Sequence, residues 1–132
     1  MSFLLDTNVI SEHLRGKSSL THRMFQYAGR LSISTIGLGE LYAWVHLKPE
    51  QKWINGAISD FLKECEILNF DRRCAEIFGE LRGYLKPRGI TVPPVDLMIA
   101  SVALVHDLTL VTHNTADFQQ VPNLRLDDWL AS

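Results

Sequence analysis

Four acidic residues of the 132-residue chain each stand alone. Asp6 is the only Asp, Glu, Lys or Arg between Met1 and Ser11, and Glu40 the only one between Leu31 and Leu47. Asp96 is alone from Gly89 to His106, and Asp117 from Leu108 to Leu124. With charged residues at 21%, a window of about 17 positions should hold about three or four such groups. A solvated face would carry more than one charge, and an isolated carboxylate in an apolar segment is costly to bury. Two carboxylates ~6 Å apart repel by ~3 kcal/mol at an effective dielectric of about 20. Four that share one site therefore need protons or a cation, and an all-oxygen donor set suits Mg²⁺ or Mn²⁺.

The surrounding elements decide whether the four can meet. Phe3-Leu4-Leu5, Leu31 to Ser34, Ile67 to Phe70, Leu108 to Val111 and Leu124 to Leu126 read as five short buried strands. Between them, Trp53, Ile54, Ala57, Ile58, Phe61, Leu62 and Cys65 keep a helical stripe, as do Cys74, Ile77, Phe78, Leu81 and Leu85, with Gly89 as a stop. Val95 to Val105 is apolar almost all round and predicts a buried helix, with Pro94 in its first turn. Strands alternating with helices predict an α/β fold, a mostly parallel sheet covered by helices on both faces. Asp6 then ends the first strand, Glu40 lies a turn into the helix after the second, and Asn114 and Asp117 follow the fourth. Asp96 opens the helix that runs back antiparallel to the sheet, so all four should gather at the edge where open α/β sheets bind ligands.

Each acid also has a purely structural reading. Asp6 or Thr7 could cap a helix, Asp96 and Asp117 suit the positive ends of helices, and Glu40, on one face with Ile36 and Trp44, could point to solvent. Four such coincidences on one edge favour the shared site.

The chain's length suits a single domain over residues 1–132. Hydrophobic residues at 46% exclude a disordered chain. No apolar run approaches ~18 residues, so no membrane span is expected. Met1 to Asp6 lacks the basic stretch of an export signal. Cys65 and Cys74 match no metal or redox spacing, which predicts reduced thiols and a cytoplasmic location. A net charge of −2 argues against a large nonspecific nucleic-acid footprint.

Leu4-Leu5-Asp6-Thr7-Asn8-Val9-Ile10-Ser11 resembles the opening of PIN-domain proteins, especially VapC-type toxins of toxin–antitoxin pairs. Gly39-Glu40-Leu41 is similar to that family's second acidic motif, and Asp96-Leu97-Met98-Ile99-Ala100-Ser101 to its third, with Ser101 where many relatives carry Ala. Leu110 to Phe118 resembles its T-x-N-x-x-D-F segment, and Asp128-Trp129 its usual ending. The resemblance implies a PIN-like domain and a Mg²⁺- or Mn²⁺-dependent endoribonuclease. Asp6, Glu40, Asp96 and Asp117 would surround the metal, with Thr112 as the associated hydroxyl. It further implies a structured RNA substrate such as a tRNA or a ribosomal RNA loop, a VapB-type antitoxin, and assembly as a homodimer.

In that chemistry water attacks a phosphodiester in line with its leaving oxygen. Asp6 and Asp96, short side chains at element ends, suit direct ligation. Glu40 has the reach of a base, and Asp117 suits a second ion or outer-sphere waters. Thr7 or Thr112 could hydrogen-bond a ligand carboxylate. The alternatives are a PIN-like module that only binds RNA or a partner, and a metal nuclease on another nucleic acid.

His113 sits beside the site, whereas His13, His22, His46 and His106 lack the i, i+4 pairing of a zinc helix. There is no G-x-S-x-G, P-loop or G-x-G-x-x-G, which disfavours serine hydrolase, NTPase and dinucleotide chemistry. Arg72, Arg73, Arg82, Lys86 and Arg88 could line an RNA path or form, with Glu76 and Glu80, a mixed-charge surface. Arg15, Lys17 and Arg23 are a second candidate group for phosphate. Tyr42, Trp44 and Trp53 are expected in the core rather than at an interface.

Overall fold

A computed structural model describes residues 1–131. The strands are β1 (Phe3–Leu5), β2 (Leu31–Ser34), β3 (Glu66–Leu68), β4 (Thr109–Val111) and β5 (Leu126–Asp127). The helices are α1 (Thr7–Leu14), α2 (Ser18–Gln26), α3 (Thr35–Leu47), α4 (Trp53–Leu62), α5 (Arg72–Leu85), α6 (Pro94–Val105) and α7 (Thr115–Phe118). The sheet order is β3-β2-β1-β4-β5, and every pairing is parallel. The expected α/β architecture is therefore present, with a sheet that is wholly parallel.

Register explains why β1, at the centre of the sheet, is apolar throughout. Phe3, Leu5, Leu31, Ile33 and Val111 face one core, which helices α1, α2 and α4 cover with Val9, Ile10, Leu20, Met24, Ile54, Ile58 and Phe61. Leu4, Leu110 and Leu68 face the other, under Cys74, Leu81 and Leu85 of α5, Leu97 to Ala103 of α6 and Phe118 of α7. A strand buried on both faces has no polar side to present.

The element ends have local causes. Asp71 caps α5 by accepting a hydrogen bond from the Cys74 N–H at 3.1 Å. Gly89, at φ +72°, supplies the left-handed residue that stops the 3₁₀ turn after α5. Pro94 opens α6, where a missing N–H costs nothing. Inside α6 the Ser101 hydroxyl donates to the Leu97 carbonyl at 2.7 Å, so this buried polar group is satisfied within its own helix.

Several boundaries differ from the expectation by one or more residues, the fourth strand for example starting at Thr109 rather than Leu108, and three of the differences have a local cause. The third strand ends at Leu68, because the Phe70 N–H donates to Thr35 Oγ1 at 3.1 Å and leaves the ladder. The last strand starts at Leu126, because Leu124 belongs to a turn with Asn123 at φ +66°. Helix α4 ends at Leu62, and Cys65 lies in the turn beyond it. Both cysteines are free. Burial, with help from Glu64, pushes the Cys65 thiol up to about 12, so it stays protonated.

Leu110 lies in the strand beside β1 and is fully buried. Leu110→Ala should cost about 3 kcal/mol through lost burial plus a cavity. Urea unfolding should show a lower midpoint at unchanged slope.

Candidate active site

The chain builds β1, then β2 and β3 to one side of it, and returns to place β4 and β5 on the other. Such a reversal leaves a crevice at the carboxyl ends of the two central strands, where chain segments part in opposite directions. Asp6 follows β1 and Thr112 follows β4, so both stand at that crevice.

Asp6 is held from three directions. Its N–H donates to the Val111 carbonyl at 2.9 Å. Oδ1 accepts from the Thr7 N–H and Oδ2 from the Thr112 hydroxyl, each at 2.8 Å. The residue is 5% exposed, and Thr112 is fully buried. Burial raises the Asp6 carboxyl above its ordinary range, and the bonds from Thr112 and Thr7 oppose that rise. The capping reading of Asp6 is realised, since Oδ1 accepts from the Thr7 N–H at the start of α1, while Oδ2 turns to Thr112 beyond β4.

The other acids arrive on helices. Glu40 lies on α3, whose start is capped by Ser34 accepting from the Gly37 N–H at 3.0 Å. The Thr7 hydroxyl donates to Glu40 Oε1 at 2.7 Å and so ties Glu40 to the residue beside Asp6. Asp96 is in the first turn of α6 and Asp117 in the short helix α7. Asp96 is half-buried, while Glu40 and Asp117 are exposed, so only Asp6 is a fully buried acid.

The four share one electrostatic field. The Asp96 carboxyl is pushed up to about 6, first by burial and then by the charges of Asp6, Asp117 and Glu40. Among the described residues, no Lys, Arg or His forms an ion pair with any of them. Nor do any three acidic, His or Cys side chains there close into a finished metal cage. The donor set is oxygen only, the net charge is negative, and the first turns of α1, α6 and α7 contribute only partial positive charge. A hard divalent cation suits this arrangement.

The remaining candidates separate. The His113 ring lies 3.2 Å from Asp128 Oδ2 beside the crevice. His13 packs on Phe61 with ring centroids 5.5 Å apart, and burial lowers its pKa. On α5, Arg72 reaches Glu76 at 3.5 Å from an exposed position. Arg88 folds back onto the Tyr84 carbonyl at 2.7 Å and stacks on its ring. The mixed-charge surface reading fits these two better than an RNA path does.

The aromatic expectation is corrected. Trp53 is 46% and Tyr42 44% exposed, because α4 turns only Ile54, Ile58 and Phe61 inward and α3 only Gly37 and Leu41. Trp44 is half-buried, edge-on to Trp53 at 5.7 Å. Two contacts escaped the sequence reading: Asn8 Oδ1 accepting from the His113 N–H, and Asp128 facing the His113 ring. The only signal for them was their presence in the first and last motifs.

A model of the PIN domain family matches residues 3–124. Ribonuclease VapC2 of Rickettsia felis is 31% identical over 132 residues, covering 98% of each chain. The chain belongs to the PIN-domain family, in its VapC branch. The tRNA(fMet)-specific endonuclease VapC of Salmonella typhimurium is 33% identical over 132 residues, again covering 98% of each chain. Among solved structures, VapBC2 from Rickettsia felis bound to a promoter DNA fragment superposes with a TM-score of 0.91 at 32% identity. That match covers 98% of this chain and 99% of the other.

In this VapC-type chain without metal, burial of Asp96, with the nearby carboxylates adding to it, makes stability fall as pH rises. The folded Asp96 holds its proton up to about 6, against 3.8 for the ordinary carboxyl. Its stabilising contribution is complete below about 4 and is lost as pH rises through about 6. In EDTA, Asp96→Asn should flatten this decline and raise stability near neutral pH by something on the order of 1 kcal/mol, after discounting for solvent screening. Urea midpoints at several pH values would check it, and an unchanged slope would contradict the shared field.

Proposed function

We propose that this chain is a metal-dependent endoribonuclease toxin that cleaves a structured RNA such as a tRNA and is restrained by a VapB-type antitoxin. The observation that carries the reading is the set of four carboxylates at the β1/β4 crevice, with no cationic side chain among the described residues to balance them. Asp6 and Asp96 would hold Mg²⁺ or Mn²⁺, with Glu40 and Asp117 around them. The ion would act as a Lewis acid toward the phosphoryl oxygens and lower the pKa of water.

The residues themselves do the positioning. Thr112 directs Asp6 Oδ2, and the Thr7 N–H directs Oδ1. The Thr7 hydroxyl occupies Glu40 Oε1, which leaves Oε2 to take a proton from the attacking water. Water attacking in line with the 3′-oxygen breaks the P–O3′ bond, and the leaving oxygen takes up a proton, which gives a 5′-phosphate and a 3′-hydroxyl. The route itself does not choose RNA over DNA. The names of the Rickettsia and Salmonella relatives support RNA.

Structures of VapBC complexes among the neighbours support an antitoxin partner. The antitoxin tail would lie on apolar surface of the helices, to which Ile10, sealed in the core, contributes nothing. Exposed Trp53, Tyr42 and Leu47 on α3 and α4 offer the apolar surface instead. A homodimer, the commonest closed assembly, and a cytoplasmic location complete the proposal. Among the described residues, no helix is long and apolar enough to cross a membrane.

Purified protein incubated with total RNA should cut in Mg²⁺ or Mn²⁺ and stop in EDTA. Asp6→Asn, Glu40→Gln and Asp96→Asn should each abolish detectable cutting, and Asp117→Asn should leave a residue of it. Thr112→Val should cost roughly 10- to 100-fold, as loss of a partner to a metal-binding carboxylate does. A 2′,3′-cyclic phosphate at the cut ends would overturn the water mechanism. In cells, expression should be harmful alone and tolerated with the cognate antitoxin, and Trp53→Arg should weaken that protection.

A further inference from the structure

Helix α1 starts at the carboxylates and leads away from them. Asn8, Ser11, Glu12 and Arg15 recur at helical spacing on one side of it. They line a cavity of about 480 Å³ together with Lys17, His113 and Asn114. A volume of that size accommodates a nucleotide-sized ligand. From Asn8 to Arg15 the helix advances about 10 Å. That length matches two or three nucleotides at the ~3.4 Å rise of a stacked strand.

The walls are built rather than accidental. The His113 N–H donates to Asn8 Oδ1 at 3.4 Å and ties the turn after β4 to α1. Asp128 Oδ1 accepts from the Leu130 and Ala131 N–H groups at 2.9 and 3.2 Å, which fixes the carboxylate. Its Oδ2 faces His113 Nδ1 at 3.2 Å, with the Asp128 side chain 19% exposed and that of His113 57%. A carboxylate at Nδ1 keeps a proton there and leaves Nε2 as the ring's free hydrogen-bonding atom. Glu12 is balanced by Arg15, whose guanidinium lies 3.2 Å from it and over the Trp44 ring. Among the described residues, Lys17 forms no ion pair.

We propose that this groove seats the unpaired RNA strand adjoining the scissile bond, with Lys17 on a backbone phosphate and His113 Nε2, aimed by Asp128, on the nucleotide beside the cut. The inference rests on the ribonuclease reading and extends it to substrate placement. The Asn8 and Asn114 amides, the His113 imidazole and the free Lys17 ammonium suit phosphates and base edges, whereas a basic antitoxin tail would be repelled by Lys17. His113 contacts substrate in this scheme, and Asp128 is a positioning residue that acts through it.

The test is anisotropy of a fluorescein-labelled, mixed-sequence single-stranded RNA oligonucleotide in EDTA, where nothing is cut. Lys17→Ala should weaken binding severalfold and reduce the slope of log K against log salt by about 0.7, the single-strand value for one phosphate. His113→Ala should weaken binding with the slope unchanged, and His113→Gln, whose amide reaches near Nε2, should restore much of the loss. Asp128→Asn should cost affinity in the native background and nothing in the His113→Ala background, a coupling that a merely structural role would not give. Arg72→Ala removes the same charge from the exposed face of α5 and should change neither quantity.

An unchanged salt slope in Lys17→Ala, or equal costs of Asp128→Asn in both backgrounds, would overturn the groove. So would a protein that cuts RNA in Mg²⁺ yet fails to bind the oligonucleotide in EDTA. In each of those cases the ribonuclease reading survives. A native protein that neither binds nor cuts RNA under any of these conditions would remove both.

Discussion

Burial of carboxylates close to one another is the constraint on which this molecule depends. The Asp96 carboxyl is pushed up to about 6, first by burial and then by the charges of Asp6, Asp117 and Glu40. Nothing local requires that crowding. The acids come from four separate segments, and a chain free to arrange them would spread them over its surface. The fold imposes the encounter because β1 and β4 pair in parallel at the point where sheet winding reverses. The cost of the encounter is carried by the apolar layers on either face of the sheet. A site held against its own electrostatics is available to a ligand of opposite charge, as perturbed carboxyl groups in a cleft suggest.

Two threonines make this tolerable without cancelling it. Thr112 and Thr7 donate hydroxyl hydrogen bonds to Asp6 and Glu40, at 2.8 and 2.7 Å. A neutral donor favours the ionised carboxylate but brings no positive charge. An arginine in either place would have neutralised an acid by forming an ion pair with it. The acids are thus held by neutral donors rather than by ion pairs.

The crevice has one-sided surroundings. Toward the sheet everything is closed, with Thr112 fully buried and Asp6 5% exposed. Toward solvent, Glu40 and Asp117 are exposed, and α1 leads off with polar groups on one side and the core residues Val9 and Ile10 on the other. Substrate placement and core packing thus share a single helix, divided by its 3.6-residue period.

The sequence by itself determined the α/β class, the four isolated acids and their family order, because these depend on periodicity and charge spacing along the chain. Strand positions were legible to within a few residues. The errors at Phe70 and Leu124 arose where a side-chain acceptor or a left-handed Asn123 drew the backbone out of the ladder. Burial of individual aromatics was not legible. Helices α3 and α4 carry apolar residues on more than one face, and only packing chose Ile54 and Leu41 over Trp53 and Tyr42. The pairing of Thr112 with Asp6, 106 positions apart, and the hold of Asp128 on His113 were likewise decided by tertiary structure. Hydrogen bonds between distant segments leave no periodic trace in a sequence; they exist only once the sheet order has brought the strand ends together.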